Sequence, residues 1–444
     1  MTCWLAKRTL LLPLLLGAAG GVFRDSPWGG PFFLASLAYA LRKEGAAPGW
    51  ALGFALWEAL PYGVAGYPYG LLGILTALAV LLFAWGGLAL PLMAPRGLPR
   101  AGALLLAEIV KLELLEVPIG LLEPGAGGTP LGLSARLLGS YAPLLAILLL
   151  ALALGRSRWA LLLMPLALPL PKGLAEPVAP LRAVVVQAAS TPEEKYAQDL
   201  GLTYLKLTPP TGVLVLWPET ATRIPPSLPY WLGGVGTGRT NAAVLVVNGR
   251  EVSRRAKAFL IPGVERLPGH LVRMRDLLYR KAGVPVPESF DLERGQLVPL
   301  GPFGVLICYE GSLPKATAAL AHQGAQVLVE LSNESMFDGT PLKARRLKEA
   351  QLKAAETGLF YLKASESGPS YAIDRLGRLL ARTPEGARGH WTLPYALSPL
   401  GSSSWGVRYR GPLLALTFLA GVAMLSVAFP LKGGCGCQRE RGRG

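Results

Sequence analysis

Long apolar runs, separated by short polar connections, occupy the first part of the chain. A helix needs about 20 apolar residues to cross the hydrocarbon core of a bilayer. Seven runs approach that length, the second and seventh being short: Thr9–Phe23, Trp28–Leu41, Gly49–Gly66, Tyr69–Ala94, Ala101–Leu122, Leu138–Leu154 and Trp159–Leu170. An eighth, Leu413–Phe429, stands alone near the C-terminus. The pattern predicts a polytopic α-helical membrane domain of about seven transmembrane helices in residues 1–171 and a C-terminal transmembrane helix in residues 411–430.

Basic residues gather at alternate ends of these runs. Twelve of them precede the first run or follow the second, fourth, sixth and eighth: Lys7, Arg8, Arg42, Lys43, Arg96, Arg100, Arg156, Arg158, Lys432, Arg439, Arg441 and Arg443. Positive flanks mark the cytoplasmic side of a membrane. We therefore expect a multi-pass protein of the cytoplasmic (inner) membrane. Residues 182–408 are then a periplasmic or otherwise extracytoplasmic domain, and residues 431–444 a basic cytoplasmic tail.

Between residues 182 and 408, short apolar runs alternate with amphipathic ones. The strand-like runs are Ala183–Gln187, Gly212–Glu219, Ala242–Asn248, Ala258–Pro262, Gly304–Glu310, Gln326–Ser332 and Phe360–Ser365. The helical patterns between them are Thr191–Leu207, Leu267–Ala282, Leu313–Gln323 and Leu342–Thr357. Strands alternating with helices predict an α/β layered domain. The glycine-rich residues 233–238 lack the Gly-Lys-Ser/Thr of a phosphate-binding loop, so we expect a flexible turn there.

The composition favours a membrane protein over a soluble one. Hydrophobic residues make up 51% of the 444-residue chain and charged residues only 16%, which excludes intrinsic disorder. The net charge is +16, from 44 basic and 28 acidic residues. Part of this excess marks the cytoplasmic face, and the remainder makes the outer domain basic, as suits contact with anionic lipid headgroups. We therefore expect a membrane partner and no nucleic-acid partner.

One of the four cysteines is a candidate nucleophile. Cys308 alone lies in the outer domain, so it has no partner there for an intradomain disulfide. It follows the apolar run Val305–Ile307, and the carboxyl ends of strands are where sites form in α/β domains. A buried core thiol is the alternative. Cys435 and Cys437 offer too few ligands for zinc, and we predict no metal site and no cofactor.

A carboxylate and an ammonium group occupy comparable positions. Glu219 ends an apolar strand-like run, and Lys257 stands just before Phe259–Pro262. Together with Cys308 they form a workable acyl-transfer set: the thiolate attacks, the carboxylate takes its proton, and the ammonium stabilises the oxyanion. A turn residue for Glu219 and a surface charge for Lys257 are the structural alternatives.

These residues lie in recognisable motifs. Trp-Pro-Glu at residues 217–219, Lys257 before an extended Ile-Pro segment, and Cys-Tyr-Glu at residues 308–310 resemble, in this order, the nitrilase superfamily. With seven apolar runs before them and one after, the chain is similar to the apolipoprotein N-acyltransferase family across nearly its whole length. The resemblance implies a nitrilase-like four-layer αββα sandwich. It also implies that Glu219 is the general base, that Lys257 stabilises the oxyanion and that Cys308 becomes acylated.

The resemblance implies supporting residues as well. The family has a functional glutamate eight residues after the lysine, which is Glu265 here. Tyr309 and Glu310 complete the Cys-Tyr-Glu motif. Glu265 and Glu310 either take part in the chemistry directly or hold Lys257 by a salt bridge.

Candidate substrate-binding residues lie in the same motifs. They are Trp217, Asn333 and Met336, the last standing where the family has a tryptophan. Another departure is Phe-Leu-Ile-Pro-Gly-Val-Glu at residues 259–265, where the family usually has His-Leu-Val-Pro-Phe-Gly-Glu. These departures leave the three catalytic positions intact, but a diverged paralogue remains an alternative.

The implied reaction has two steps. Cys308 first takes an acyl chain from a membrane phospholipid, and the thioester then acylates the N-terminal amine of a diacylglyceryl-cysteine on an apolipoprotein. We expect a monomer. The main alternative is a membrane-anchored extracytoplasmic amidase or nitrilase with the same three residues, and a weaker one is a non-catalytic lipoprotein-binding scaffold.

Two charged clusters have open interpretations. The helical pattern Leu342–Thr357 carries five basic residues, which predict a solvated face or, alternatively, contact with lipid phosphates: Lys343, Arg345, Arg346, Lys348 and Lys353. The fifth apolar run contains four ionisable residues: Glu108, Lys111, Glu113 and Glu116. Because charges at bilayer depth are costly, we expect these to pair internally or lie at the interface, or else to line a cavity that admits headgroups.

Overall fold

In a computed structural model of the protein, the described residues are 2–67, 70–171, 180–191, 194, 199–262, 265–266, 269–281 and 292–427. The predicted basic tail, with Cys435 and Cys437, lies outside the described residues, as does part of the predicted helix Thr191–Leu207.

Helices form the N-terminal part of the chain. They are α1 (Thr2–Asp25), α2 (Gly30–Arg42), α3 (Ala47–Gly66), α4 (Leu71–Leu92), α5 (Leu98–Glu113), α6 (Ser134–Leu138) and α7 (Ala142–Leu154). Small residues allow close packing of these helices. A Cβ on Gly53 of α3 would lie 1.9 Å from the Leu14 carbonyl oxygen of α1. The glycine therefore permits contact between the two helix backbones.

Strands and further helices follow. The strands are β1 (Leu181–Gln187), β2 (Leu214–Leu216), β3 (Tyr230–Thr237), β4 (Thr240–Val247), β5 (Arg250–Ala256), β6 (Phe303–Ile307), β7 (Val327–Ser332), β8 (Phe360–Ser365), β9 (Tyr371–Ile373), β10 (Leu379–Arg382) and β11 (Gly389–Tyr395). The helices are α8 (Gly201–Leu207), α9 (Gly269–Lys281), α10 (Pro314–His322), α11 (Leu342–Thr357), α12 (Trp405–Arg408) and α13 (Arg410–Ser426). The predicted C-terminal helix thus corresponds to α13, which packs against α5, where a Cβ on Gly102 would lie 2.6 Å from the Gly421 carbonyl oxygen.

The strands form two mixed sheets. The first has six strands in the order β11-β1-β2-β3-β4-β5, and the second has five in the order β10-β9-β8-β7-β6. Strands β6, β7 and β8 are parallel, as are β1, β2 and β3, while the outer pairs are antiparallel. Parallel neighbours need crossover connections, and α10 and α11 supply them in the second sheet. The α/β prediction is confirmed.

Three apolar clusters show how the layers pack. Side chains from both sheets, such as Leu216 and Val305, form the core between them. A second cluster covers the outer face of the six-stranded sheet and includes Tyr204 of α8. A third runs without interruption from the N-terminal helices, through Phe54, to the helices on the outer face of the five-stranded sheet, including Leu352 of α11. The sheets and their outer helices therefore form the αββα layers, and the N-terminal helices lie against one of them.

The predicted membrane spans agree with the helices in part. Within the described residues, one segment, Gly73–Leu92, is long and apolar enough to cross a membrane, and shorter apolar helices occupy Ala142–Leu154, Arg158–Ala167 and Arg410–Ser426. The fifth predicted span stops at Glu113, where α5 ends. The seventh is a 3-10 helix, Arg158–Ala167, which contains a proline that cannot donate a backbone hydrogen bond. The number of spans stays a prediction.

Two predictions of local structure were wrong. Ala258–Pro262 is not a strand, because β5 ends at Ala256 and the chain then turns into the site. The glycine-rich residues 233–238 are not a flexible turn, because most of them lie in β3. Their lack of side chains serves a close contact with the Glu219 loop, described below.

Candidate functional site

Glu219 is placed by a loop that lies directly on β3. The loop begins where β2 ends, and Gly234 of β3 donates its N–H to the Pro218 carbonyl at 3.1 Å. A Cβ on Gly234 would lie 2.4 Å from the Thr220 nitrogen and 2.6 Å from the Glu219 Cα. Only glycine therefore fits beneath this loop without displacing it.

The Glu219 carboxylate is buried and held from three sides. Its Oε1 accepts hydrogen bonds from Nδ2 of Asn241 at 2.7 Å and from Nζ of Lys257 at 3.3 Å. Its Oε2 accepts one from the backbone N–H of Asn333 at 3.1 Å. These contacts fix the direction in which the carboxylate points.

Lys257 follows the end of β5 and is fully buried. Its Nζ lies 2.8 Å from Oε1 of Glu265 and 3.3 Å from Oε1 of Glu219. Burial favours the neutral amine, but Glu219, Glu265 and Cys308 outweigh it and raise the pKa of Lys257 above its ordinary value. The lysine is therefore a fixed positive charge, as oxyanion stabilisation requires.

Cys308 stands at a strained turn. It follows β6 directly, begins the 3-10 helix Cys308–Ser312 and has a φ of 50°. Left-handed backbone is costly for a residue with a Cβ. The residue is half-buried and forms no disulfide. The backbone thus turns sharply at Cys308, where strand becomes helix.

Burial raises the pKa of the Cys308 thiol to about 12, and the Glu219 carboxylate adds to the effect. Lys257 and Arg346 act in the opposite direction. The resting thiol is therefore protonated at neutral pH. A nucleophilic role would require a base to take this proton, and Glu219 is the carboxylate with the strongest influence on the thiol.

Glu310 organises the backbone around Cys308. Its Oε2 accepts the N–H of Ile307 at 2.8 Å, and its Oε1 accepts the N–H groups of Ala258 at 2.6 Å and Phe259 at 3.2 Å. The same buried carboxylate pairs with Arg255. Glu310 thereby ties the segment after Lys257 to the residue before Cys308.

Glu265 and Glu310, which we expected either to take part in the chemistry or to hold Lys257, have different partners. Glu265 does pair with Lys257, and its Oε2 accepts the N–H of Ile261 at 2.9 Å. Glu310 pairs with Arg255 instead, so its position supports a structural role.

The other expected site residues are spread around this centre. Tyr309 is buried and donates its hydroxyl to the Glu116 carbonyl, which joins the site to the end of the α5 region. Met336 is 37% exposed on the short 3-10 helix Ser335–Phe337. Trp217 is 1% exposed and packs between Tyr204 and Trp231, so it lies in the core behind the site.

Asn333 acts at the site through its backbone. Its N–H holds Glu219, while its side-chain Oδ1 accepts hydrogen bonds from the N–H of Ser335 at 3.3 Å and from its hydroxyl at 2.9 Å. The side chain thus shapes the loop that precedes Met336.

Sequence reasoning missed Asn241 and Arg346. Asn241 belongs to no recognisable motif. Its neighbour Ala242 pairs with Ala256 in the antiparallel β4–β5 ladder, so Asn241 lies opposite Lys257. Arg346 was expected on a solvated or lipid-facing side of its helix. It lies instead near Cys308, 3.8 Å from Glu334 and 3.1 Å from Glu349.

The remaining basic residues of α11 correct the same expectation. Lys343, Arg345, Lys348 and Lys353 are each no more than 4% exposed. Arg345, for example, pairs with Glu58 of α3 at 2.8 Å. The helix is a buried contact between two parts of the chain, and not a solvated face.

The ionisable residues of the fifth apolar run are satisfied within the protein. Glu108 accepts the N–H groups of Leu122 and Glu123 at 3.0 Å each, and Lys111 donates to the Gly120 carbonyl at 2.7 Å. Glu113 binds Tyr141 at 2.7 Å and also Arg410, and Glu116 pairs with Lys315 at 2.6 Å. The expectation of internal pairing therefore holds, with partners beyond the helix itself.

Known proteins resemble this chain in sequence. The model of the carbon-nitrogen hydrolase family matches residues 235–399. The apolipoprotein N-acyltransferase of Pseudomonas aeruginosa (strain LESB58) is 29% identical over 280 residues, which are 55% of this chain and 53% of that protein. The apolipoprotein N-acyltransferase of Gloeobacter violaceus is 27% identical over 328 residues, 67% of this chain and 58% of that one. The chain thus spans about half the length of the curated relatives it matches.

A solved structure is similar as well. The carbon-nitrogen hydrolase from Helicobacter pylori G27 is 16% identical, with a TM-score of 0.34, and the match covers 54% of this chain and 94% of that one. The sequence matches extend the resemblance first seen in the Trp-Pro-Glu and Cys-Tyr-Glu motifs. The chain is therefore similar in sequence to apolipoprotein N-acyltransferases, and its residues 235–399 match the carbon-nitrogen hydrolase family.

Proposed function

We propose that the protein is an N-acyltransferase of the membrane that transfers an acyl chain from a phospholipid to the N-terminal amine of diacylglyceryl-cysteine on an apolipoprotein. The observation that carries the proposal is the buried pair of Glu219 and Lys257, 3.3 Å apart, both of which influence the thiol of the strained, half-buried Cys308. General base, oxyanion-stabilising cation and nucleophile are the groups that acyl transfer through a thioester needs.

In the first step Glu219 takes the proton of the Cys308 thiol while the sulfur attacks the ester carbonyl carbon. Lys257 stabilises the negative charge that develops on the carbonyl oxygen. When the carbon–oxygen bond breaks, Glu219 returns the proton to the departing lysophospholipid. The acyl chain remains on Cys308 as a thioester, which keeps it reactive until the second substrate arrives.

In the second step the free amine of the acceptor attacks the thioester carbonyl. Glu219 accepts a proton from the amine, and Lys257 again faces the oxyanion. The carbon–sulfur bond breaks, an amide forms, and the proton passes back to Cys308. One base and one cation thus serve both half-reactions.

Contacts with the N-terminal helices favour this reaction over hydrolysis of a small amide. Tyr62 of α3 packs edge-on against Phe337, with ring centroids 5.6 Å apart, one residue from Met336. Gly63, the next residue of α3, lines an open apolar groove of about 470 Å³ between α3 and α4, with neighbours such as Leu60, Leu78 and Leu81. An apolar groove of this size suits a lipid chain.

The proposed setting is the cytoplasmic (inner) membrane, with several helices embedded and the catalytic domain on the extracytoplasmic side. The flanking basic residues support this orientation. Both substrates then lie in the outer leaflet, where their encounter is confined to two dimensions.

The test uses purified full-length protein with phospholipid vesicles and a synthetic diacylated lipopeptide. Mass spectrometry follows N-acylated product and an acyl adduct on Cys308 in the absence of acceptor. We expect both with the wild-type protein, and neither with Cys308→Ala. Release of ammonia from small amides without any lipopeptide acylation would establish the amidase alternative instead.

A further inference from the structure

Arg345 and Arg346, consecutive residues of α11, pair with carboxylates in two different parts of the protein. Adjacent residues on a helix point in different directions. Arg345 faces the N-terminal helices and pairs with Glu58 at 2.8 Å. Arg346 pairs with Glu349 at 3.1 Å and lies 3.8 Å from Glu334. The guanidinium of Arg345 thus lies at the contact with α3, and that of Arg346 lies on the side of the candidate site.

The partners of Arg346 lead directly to the catalytic residues. Glu334 follows Asn333, whose N–H holds Glu219 at 3.1 Å. Glu349 accepts the hydroxyl of Ser312 at 2.6 Å, and Ser312 ends the 3-10 helix that begins with the nucleophile. Arg346 therefore connects the segment that fixes the base with the segment that carries the thiol.

Helix α11, which carries Arg346, packs against the 3-10 helix Cys308–Ser312. Four charged groups from four elements influence the Cys308 thiol electrostatically: Glu219 after β2, Lys257 after β5, Glu334 after β7 and Arg346 on α11. The two carboxylates disfavour a thiolate and the two cations favour it. Lys257 is shared with Glu219 and Glu265, both within 3.3 Å. The side chain of Arg346 is only 14% exposed, so water screens its charge weakly.

We propose that Arg346 is a positioning residue whose guanidinium supplies, from α11, a second positive charge at the Cys308 thiolate, in addition to that of Lys257. The inference deepens the proposed function and rests on Cys308 being its nucleophile. Negative charge develops on the sulfur as Glu219 takes the proton and the sulfur attacks, and it develops again when the carbon–sulfur bond of the thioester breaks. A cation fixed in this position stabilises the charge on the sulfur in both steps.

Alkylation of Cys308 by iodoacetamide tests this without any lipid substrate. The thiolate displaces iodide and a carbon–sulfur bond forms, so the rate reports the thiolate fraction. Rates are measured on the full-length protein in detergent between pH 6 and 10, with peptide mass spectrometry to confirm that Cys308 is modified.

For Arg346→Gln we expect the pH–rate profile to move upward by about one pH unit, so that the rate at a fixed pH falls about tenfold. Arg346→Met, which keeps the aliphatic stem, is a second neutral variant in case one of the two folds poorly. Arg346→Lys should restore most of the rate, because it keeps the charge. Arg382→Gln removes an exposed positive charge from β10 and should leave the profile unchanged.

Unchanged alkylation in a folded neutral variant overturns the proposal, and so does an equal loss in the folded Lys variant. Because the assay needs neither phospholipid nor lipopeptide, failure of the proposed acyl transfer leaves its result intact. Failure of this inference is therefore distinguishable from failure of the proposed acyl transfer.

Discussion

The guanidinium of Arg345 on α11 lies 2.8 Å from the carboxylate of Glu58 on α3, and both side chains are buried. Glu58 also pairs with Arg24 of α1 at 2.6 Å. The apolar core continues across the same boundary. The catalytic domain and the N-terminal helices thus share an interior, which carries charge pairs as well as apolar contacts.

Removal of the Glu58 charge should destabilise the protein strongly. Glu58→Gln leaves the guanidinium groups of Arg24 and Arg345 buried with less compensation, and breaking a buried pair from one side costs about 3–5 kcal/mol. Thermal unfolding of the full chain in detergent measures the effect. Glu44→Gln is the matched control, since Glu44 pairs with Arg96 at the surface with 81% of its side chain exposed. Equal melting temperatures for both variants would contradict the structural role of the buried pair.

Asn241 should prove important for acyl transfer, although it belongs to no motif. Its amide holds Oε1 of Glu219 at 2.7 Å, and Asn241→Ala leaves that oxygen with Lys257 but without the amide. Because a misdirected base transfers protons poorly, we expect kcat to fall about 10- to 100-fold. Asn333→Ala is the comparison, because it keeps the backbone N–H that binds Glu219. A loss in Asn333→Ala as large as in Asn241→Ala would contradict this account.

Two of the candidate catalytic residues could be found from the sequence because each follows an apolar strand. Glu219 follows β2 and Cys308 follows β6, and such strand ends meet in layered α/β domains. The position of Asn241 was harder to predict from the sequence. The Asn248-Gly249 turn predicts a hairpin, but a register shift between Leu245 and Val246 alters which residues lie opposite each other.

The basic helix α11 shows a different limit. Its five positive charges are typical of a solvated or lipid-facing surface, because unpaired charges are seldom buried. The partner of Arg345 is Glu58, 287 positions earlier in the chain. A periodic pattern within one helix contains no information about a carboxylate so distant in sequence, so only the tertiary structure identifies the pair.

Replacement of Glu219 should separate base catalysis from thiol reactivity. Without the Glu219 carboxylate the proposed general base is lost, so Glu219→Gln should lower acyl transfer about 10²- to 10⁴-fold. The carboxylate also raises the pKa of Cys308, after the larger effect of burial. The thiolate fraction at a given pH should therefore rise in the variant, and iodoacetamide should alkylate Cys308 faster at pH 9. Slower alkylation of a folded Glu219→Gln protein would show that the electrostatic effect has the opposite sign.

The wild-type thiol should show the matching pH dependence. Because its pKa is raised to about 12, Cys308 is mostly protonated below that value, and each unit of pH increases the thiolate fraction about tenfold. Alkylation should rise throughout the range from pH 6 to 10 without levelling off. A plateau near pH 7 would instead indicate a thiolate stabilised in the resting protein.

Replacement of Gly234, even by alanine, should lower both stability and activity. A Cβ there would lie 2.4 Å from the Thr220 nitrogen and 2.6 Å from the Glu219 Cα, and both neighbours are backbone atoms that cannot rotate away. Gly234→Ala must push the Glu219 loop off β3, at a cost of about 1–3 kcal/mol in stability. It should also lower kcat about tenfold or more, because the base moves relative to Cys308. Gly212→Ala is the control, since nothing lies within 4 Å of the added carbon. If both variants retain wild-type activity, the contact between Gly234 and the loop is not what positions Glu219.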